Sequence, residues 1–259
     1  MNNIVLYAIT GSVATITLNR PEARNALNDE LLDGLRAAFE QARDEQVRAV
    51  VLAGAGKGFC SGADLSVFGQ ARTPDETAAY ISAKYQPLMQ AICALPKPVI
   101  GAINGVAAGA GAALALACDL HVMAEDASIM MAFSNIGLVP DAGATWFLAR
   151  LVGYSRAFEI ASEAERIGAA RCYELGMANR IVPAAELLPA AQAWAERLAQ
   201  RPTLALGLTK QALYHALESD LLDTIAYEAE LQKHTIVSDD HREGVTAFRE
   251  RRPPMYKGH

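Results

Sequence analysis

Short runs of apolar residues alternate with turn residues along the first half of the chain. The runs at 4–9 and 13–18 are rich in β-branched residues and are separated by Thr10-Gly11-Ser12, which predicts a hairpin. Longer uninterrupted apolar runs are typical of strands that are buried on both faces of a parallel sheet. Such runs predict strands at 47–53, 99–103, 120–124 and 127–131.

Helical periodicity takes over in the second half. An early helix is predicted after Asn28, a favoured N-cap residue, because apolar side chains recur there at i, i+3 and i+4 spacing. A further helix is predicted over 74–95, and one strand-like segment at 178–182 interrupts the later helices. These are predicted at 142–152, 154–163, 168–174, 186–200, 203–218, 220–237 and 239–251. The pattern indicates an α/β protein with a helical C-terminal part.

A unit of strand, glycine-rich turn and helix occurs twice, at 47–65 and at 99–117. In the second unit, Gly109 and Gly111 allow the backbone to pass close to another group, because glycine has no Cβ. A turn that leads into a helix presents unpaired backbone N–H groups to an anion or a developing oxyanion. Two such units side by side would bring the two turns together, so we predict a site there.

Other interpretations of the second unit were weighed. Residues 98–118 form 21 positions without a charge, but Asn104 and four glycines interrupt them, so a membrane helix is not expected. A dinucleotide-binding fingerprint fails because its third glycine would fall at Leu114, and a P-loop fails because Gly follows Lys57. Small residues that merely let a helix pack on a sheet remain an alternative.

Composition and charge narrow the function classes. A net charge of −6 argues against a nucleic-acid surface. The four scattered cysteines predict reduced thiols in a cytoplasmic protein, and the N-terminal residues do not have the pattern of a signal peptide. The five histidines show no metal-ligand spacing, so we expect no metal site.

Five segments in this order resemble the crotonase, or enoyl-CoA hydratase/isomerase, superfamily: 19–27, 58–65, 97–119, 137–145 and 241–254. Within it the chain most resembles the ring-epoxide/enoyl-CoA isomerases of phenylacetyl-CoA breakdown. The resemblance implies a crotonase-like ββα spiral core over 1–195 and a C-terminal helical region over 196–259. Proteins of this superfamily associate through that region as homotrimers, often paired into hexamers.

The resemblance also implies the site residues. The backbone N–H groups of Ala63 and Ala110 match the oxyanion hole that holds the thioester carbonyl oxygen. Coenzyme A would be part of the acyl-CoA substrate, and no separate cofactor is expected. The matching substrate-binding residues are Arg24, Ser61, Gly62, Asp64, Leu65, Gly109, Phe133, Phe248 and Arg251. For Arg24 and Arg251, a solvated surface charge is the alternative.

Two departures from the hydratase pattern decide the predicted chemistry. Hydratases of this superfamily have glutamates at the positions of Ala113 and Phe133, and water addition needs such groups. Asp141 matches a carboxylate that takes and returns a proton in several isomerases of this superfamily, and apolar neighbours would raise its pKa. By sequence position these neighbours are Ala113, Phe133, Ile136, Leu138 and Trp146. The alternative is that Asp141 only caps a helix.

We therefore predict isomerisation of an unsaturated or ring-epoxide acyl-CoA by a proton shuttle on Asp141. Hydration, dehalogenation, thioester hydrolysis and a non-catalytic CoA-binding scaffold remain alternatives. The related aryl-CoA dehalogenases use a histidine beside the matching aspartate. The dehalogenation hypothesis is weakened because His121, on a predicted strand, is expected to be packed or surface-facing. In such enzymes the segment that matches 66–85 shapes the acyl pocket. Because this segment is too variable to interpret, the sequence does not assign the acyl group.

Overall fold

The computed structural model describes residues 4–65 and 73–259. Within these residues the strands are β1 Val5–Thr10, β2 Val13–Leu18, β3 Ala49–Gly54, β4 Val99–Ile103, β5 Val106–Ala108, β6 Leu120–Ala124, β7 Ser128–Met130, β8 Ile167–Gly168 and β9 Arg180–Val182. The α-helices are α1 Asp29–Gln41, α2 Pro74–Cys93, α3 Ala110–Leu116, α4 Ala144–Val152, α5 Tyr154–Glu163, α6 Ala169–Glu174, α7 Leu187–Ala199, α8 Thr203–Ala216, α9 Leu221–Thr235 and α10 Asp239–Glu250. Short 3-10 turns lie at Pro21–Ala23, Ser134–Ile136 and Ala184–Glu186.

The strands form two sheets. The larger has the order β1-β2-β3-β4-β6-β9, and the smaller has the order β5-β7-β8. The β1–β2 hairpin is antiparallel with Thr10 opposite Val13, whereas the neighbouring strands β2, β3, β4, β6 and β9 of the larger sheet pair in parallel. The hairpin and the α/β class are therefore confirmed.

The core lies around the central parallel strands. Every residue of β4 is buried, and so are the first five residues of β3. Helix α7 packs against β3, β4 and β6, while α1 packs against α2 and the hairpin. Burial on both sides explains why these strands appear in the sequence as continuous apolar runs.

Most predicted boundaries lie within two residues of the observed ones. The side chain of Asn28 accepts a hydrogen bond from Leu31 N at 2.9 Å, which confirms the predicted cap of α1. Helix α3 begins at Ala110, whereas 112 was predicted, because the Gly109 carbonyl already accepts the amides of Ala112 and Ala113. Glycine at 109 permits this start because its φ is +53°.

A buried ion pair fastens the C-terminal helices to the core. Lys210 of α8 donates to Asp119 Oδ2 at 2.9 Å and to the Ile92 carbonyl at 3.0 Å. The same carboxylate oxygen accepts the Val99 amide at 2.8 Å. Because each partner satisfies the other, removing either one would leave an uncompensated buried charge. The pair thus fixes α8 against the start of β4.

Helix α9, in contrast, exposes apolar side chains to solvent. Leu221 and Leu222 are 73% and 76% exposed, and no residue of α9 is fully buried. In the part of the chain that is described, no helix has both the length and the apolarity to cross a membrane. Contiguous exposed apolar side chains mark surfaces that contact another protein.

We predict that the protein sediments as a homotrimer or as a hexamer of paired trimers. The apolar side chains of α9 are the reason, because association removes them from water. Analytical ultracentrifugation at micromolar concentration measures the mass. A monomer at that concentration would contradict the prediction, and Leu222→Glu should shift the wild-type oligomer toward smaller species.

Candidate active site

The two glycine-rich turns lie against each other. The loop after β3 contains Cys60, which forms an isolated parallel bridge with Ala107 of β5. Cys60 N donates to the Val106 carbonyl at 3.2 Å, and Ala108 N donates to the Cys60 carbonyl at 2.9 Å. The predicted meeting of the two strand–turn–helix units is therefore confirmed.

Glycine is required at this contact. A Cβ on Gly111 would lie 2.3 Å from the Cys60 carbonyl oxygen, a distance at which the backbone would have to shift. Gly62 has a φ of +99°, and a Cβ there would lie 2.8 Å from the Ala108 carbonyl oxygen. Side chains are thus excluded from the contact by sterics as well as by backbone conformation.

The amides of Ala63 and Ala110 follow directly from these turns. The residues flanking Ala63 pair with Leu27: Leu27 N donates to the Gly62 carbonyl at 2.8 Å, and Asp64 N donates to the Leu27 carbonyl at 3.0 Å. Ala110 is the first residue of α3, where an amide has no carbonyl partner inside the helix. Among the described residues neither amide donates a backbone hydrogen bond, so both are available to an oxyanion.

A buried asparagine fixes the first turn. The side-chain amide of Asn25, which is fully buried, donates to the carbonyls of Ala55, Gly58 and Phe59 at 3.0, 2.9 and 3.1 Å. Its Oδ1 accepts the Arg20 amide at 2.9 Å. The segment 19–27 carries this residue, yet the sequence analysis gave a role only to Arg24.

Arg20 is a second site residue that the sequence analysis missed. Its guanidinium pairs with Asp64 at 3.0 Å, and it also donates to the Ala26 carbonyl. The carboxylate of Asp64 therefore faces this arginine. The charge pair, whose side chains are 17% and 16% exposed, holds the residue after Ala63 in place.

Asp141 lies in the loop between the 3-10 turn Ser134–Ile136 and α4. The N-cap of α4 is Gly143, and only the backbone carbonyl of Asp141 takes part in the helix start, by accepting Ala144 N at 2.9 Å. Its Oδ1 is buried and has no hydrogen-bond partner among the described residues. Burial raises the pKa of the carboxyl above its ordinary value of 3.8. The side chain of Asp141 therefore does not cap α4, and the capping alternative is wrong.

Two of the predicted apolar neighbours of Asp141 are buried and two are exposed. Ala113 and Phe133 are buried, and the Phe133 ring lies 3.9 Å from the Cβ position of Gly109, beside the second turn. Ile136 and Leu138 are 58% and 52% exposed, and Gly137 between them adopts a left-handed conformation. That these residues line a pocket around Asp141 stays a prediction.

Trp146 joins α4 to α8. Its ring stacks on that of Tyr214 of α8 with the ring centroids 5.6 Å apart, and the guanidinium of Arg150 lies 4.0 Å from the Trp146 ring centroid. The residue is half-buried.

The predicted substrate-binding residues fall into two groups. Those of the first group surround the two turns. At the first turn, Ser61 N donates to the Arg24 carbonyl at 3.0 Å and Leu65 is 63% exposed. The side chain of Arg24 is exposed, as a group that contacts a phosphate in solvent would be. Residues 66–72, part of the segment expected to shape the acyl pocket, lie outside the described residues.

The second group, Phe248 and Arg251, lies at the end of α10. Phe248 is 85% exposed and borders a groove of about 730 Å³ between α8, α9 and α10. Among the residues described, neither Ala63 nor Ala110 borders that groove.

The buried histidine and thiols have structural roles. His121 is 4% exposed, its Nε2 lies 3.0 Å from the Ala115 carbonyl, and burial lowers its pKa to about 4. The thiol of Cys60 contacts the Asn25 carbonyl at 3.1 Å, and burial raises its pKa to about 12. Neither group is therefore ionised near neutral pH.

Known proteins resemble this chain in sequence and in fold. The family profile described as "Enoyl-CoA hydratase/isomerase" matches residues 8–259. The chain is 44% identical to a "Probable enoyl-CoA hydratase" of Rhodobacter capsulatus, with 98% of both chains covered. It is 42% identical to the "1,2-epoxyphenylacetyl-CoA isomerase" of Escherichia coli over 100% of both. A crystal structure of an enoyl-CoA hydratase from Bacillus anthracis superposes with a TM-score of 0.94 at 34% identity, covering 99% of this chain and 100% of that one.

Gly111→Ala tests the close contact between the turns. Alanine at an ordinary helical position stabilises relative to glycine, but here the methyl group meets the Cys60 carbonyl. We expect a loss of about 1–3 kcal/mol of unfolding free energy, measured by denaturant titration. Gly168→Ala, where nothing lies within 4 Å of the Cβ position, is the matched control and should change stability by less than about 0.5 kcal/mol. Equal stability of the two variants would show that the turns do not depend on the contact.

Proposed function

The chain belongs to the enoyl-CoA hydratase/isomerase family, and on that premise we propose that it isomerises an unsaturated or ring-epoxide acyl-CoA thioester. It is an enzyme of the crotonase superfamily. In this proposal Asp141 removes a proton from one carbon of the acyl group and returns it at another. The observation that carries the proposal is the buried Oδ1 of Asp141, to which no described side chain or backbone group donates a hydrogen bond.

The backbone amides of Ala63 and Ala110 support the enolate step. Removing a proton next to a thioester carbonyl places negative charge on the carbonyl oxygen. Donors held by the Cys60–Ala107 bridge need no reorganisation when that charge develops, so they stabilise the transition state more than the ground state. The charge on oxygen and the proton on carbon are thus handled by different groups.

Asp141 without glutamates at 113 and 133 supports isomerisation better than it supports hydration. Water addition requires one group to activate the water and one to deliver a proton. Ala113 and Phe133 supply neither, whereas a proton shuttle needs one carboxylate only. Hydration is the second candidate, because relatives named as hydratases are as similar to this chain as the isomerase is.

Coenzyme A is proposed as part of the substrate, with no separate cofactor. The exposed Arg24 would meet a phosphate, and the loop 61–65 would contact the adenine and pantetheine parts. The exposed Phe248 and Arg251 would then contact the nucleotide part of a CoA bound across an assembled oligomer. This assigns CoA-binding residues to both proposed regions, 1–195 and 196–259.

Asp141→Asn tests the shuttle, because it keeps the size of the side chain and removes its basic oxygen. We expect turnover of a 3-enoyl-CoA to fall by at least about 10²-fold, with binding of the thioester within a few-fold of the wild type. Turnover in deuterated water is followed by absorbance, and label at C4 by mass spectrometry. Asp126→Asn, at an exposed position, is the control and should leave turnover unchanged.

The outcomes separate the remaining functions. Wild-type binding without turnover or label indicates a scaffold, and accumulation of a 3-hydroxyacyl-CoA indicates hydration. Near-normal turnover by Asp141→Asn would show that another group is the base. The melting temperature of each sample is measured as well, so that a displaced loop 137–145 is recognised.

The pH dependence follows from the buried state of Asp141. The base acts when it is deprotonated, and burial raises its pKa, so turnover should be lost as the pH falls through a value above 3.8. A profile of kcat/KM against pH measures this limb. A limb at or below 3.8 would contradict the prediction.

A further inference from the structure

The segment that follows α10 folds back along that helix. Arg251 caps α10 in the left-handed conformation, with a φ of +55°. Residues 252–259, which we call the strap, then return toward the start of the helix and reach Asp240. Within α10 only Asp240 and Ala247 are buried, so packing on the core does little to hold this helix. The strap therefore supplies most of what fixes it.

Asp240 binds the strap at the start of α10. Its side chain is almost fully buried, and its Oδ1 accepts the Lys257 amide at 2.6 Å while its Oδ2 accepts the Gly258 amide at 2.8 Å. The Asp240 amide in turn donates to the His259 carbonyl at 3.1 Å. Hydrogen bonds to a carboxylate are about twice as strong as those between neutral groups. One side chain thus holds the far end of the strap.

The opposite side of the strap is held by the core. Arg48, the residue before β3, donates to the Tyr256 carbonyl at 3.0 Å, to Thr203 Oγ1 at 2.8 Å and to the Arg201 carbonyl at 2.7 Å. Gly258 has a φ of +96°, and its Cβ position lies 3.1 Å from Thr203 Oγ1 and 3.2 Å from Arg48 Nε. The strap is therefore packed between α10 and the core.

Contacts between the strap and α10 continue along the helix. Both oxygens of Glu243 accept hydrogen bonds from Arg252, at 2.6 and 2.9 Å, and one of them also accepts the Met255 amide at 2.7 Å. The Tyr256 hydroxyl lies 3.2 Å from the Cβ position of Gly244. Because the strap bonds to successive turns, it fixes the direction of α10 as well as its start.

Helix α10 carries the two groups that are proposed to contact the nucleotide part of CoA. Phe248 lies in its last turn, is 85% exposed, and borders the groove between α8, α9 and α10. Asp240 and Tyr256 border the same groove. A side chain so exposed is not held by its own packing, so the helix that carries it determines where it lies. Contact groups that are already held in place cost less ordering when a ligand binds.

We propose that Asp240 is a positioning residue, which binds the strap and so holds α10 with Phe248 and Arg251 in place for the nucleotide part of an acyl-CoA. This rests on the proposed function, in which those two residues contact the nucleotide. Asp240 acts through the helix and touches no substrate atom. Releasing the strap therefore weakens binding of a CoA thioester, but not of a thioester that lacks the nucleotide.

The first test compares butanoyl-CoA with butanoyl-pantetheine, the same thioester without the nucleotide. Asp240→Asn replaces one acceptor oxygen by an amide group, which then faces a backbone donor. By calorimetry, the Kd of butanoyl-CoA should rise about tenfold, and that of butanoyl-pantetheine should stay within about twofold. Asp223→Asn, at an exposed position in the first turn of α9, is the matched control and should leave both within about twofold. An unchanged Kd for butanoyl-CoA, or an equal rise for both thioesters, overturns the proposal.

The second test asks whether Asp240 acts through the two exposed residues. Phe248→Ala and Arg251→Gln together remove the groups that the strap is proposed to position. In that background, Asp240→Asn should change the Kd of butanoyl-CoA by less than about twofold, because a residue that acts through others has no effect once they are gone. A further tenfold rise would show that Asp240 acts elsewhere.

A third variant covers the case in which Asp240→Asn does not fold. Gly258→Ala loosens the strap from its other side, because alanine is disfavoured at a φ of +96° and its methyl group would crowd Thr203 and Arg48. It should give the same selective rise for butanoyl-CoA, and faster exchange of the Lys257 amide hydrogen. Faster exchange with unchanged affinity would show that the strap does not position the contacts.

Failure of the proposed function is recognised separately. If the wild type does not turn over a 3-enoyl-CoA, the proposed isomerisation fails, while the binding constants still decide the role of Asp240. If the wild type binds both thioesters equally well, Phe248 and Arg251 do not contact the nucleotide, and the proposal for Asp240 is wrong.

Discussion

The close backbone contact between Cys60 and the turn at 107–111 is the constraint on which the site depends. The bridge from Cys60 to Ala107 sets the distance between two chain segments that are about fifty residues apart. Gly111 makes the approach possible, because any side chain there would clash with the Cys60 carbonyl oxygen. Once the segments are joined, the amides of Ala63 and Ala110 have fixed positions beside each other. Catalysis by hydrogen-bond donors requires that fixed geometry, since donors that must first reorient stabilise a developing charge less.

Buried polar groups keep the first turn rigid. A loop of this length has few side chains of its own to pack, so its carbonyls need partners from elsewhere. Asn25 supplies one side-chain amide for three of them, and the pair of Arg20 with Asp64 holds the far end of the turn. These contacts come from the segment 19–27, which packs against the turn without being part of it. The site is therefore built from three stretches of sequence, of which two were identified by their glycines.

Features that depend on local chemistry could be predicted from the sequence, and features that depend on packing could not. The hairpin, the strands β4 and β6, the Asn28 cap and the meeting of the glycine turns follow from residue types and their spacing. The surroundings of Asp141 do not. The ring of Trp146 stacks on Tyr214 of α8, an arrangement that no residue near position 141 encodes.

Apolar residues stand at 113 and 133, where hydratases of the superfamily have glutamates, and this has an electrostatic consequence for Asp141. Several carboxylates in one pocket repel each other, so that they share protons and titrate as a set. Ala113 and Phe133 carry no ionisable group, and burial is the cause that raises the pKa of Asp141. Burial strengthens the base but also favours its neutral, inactive form.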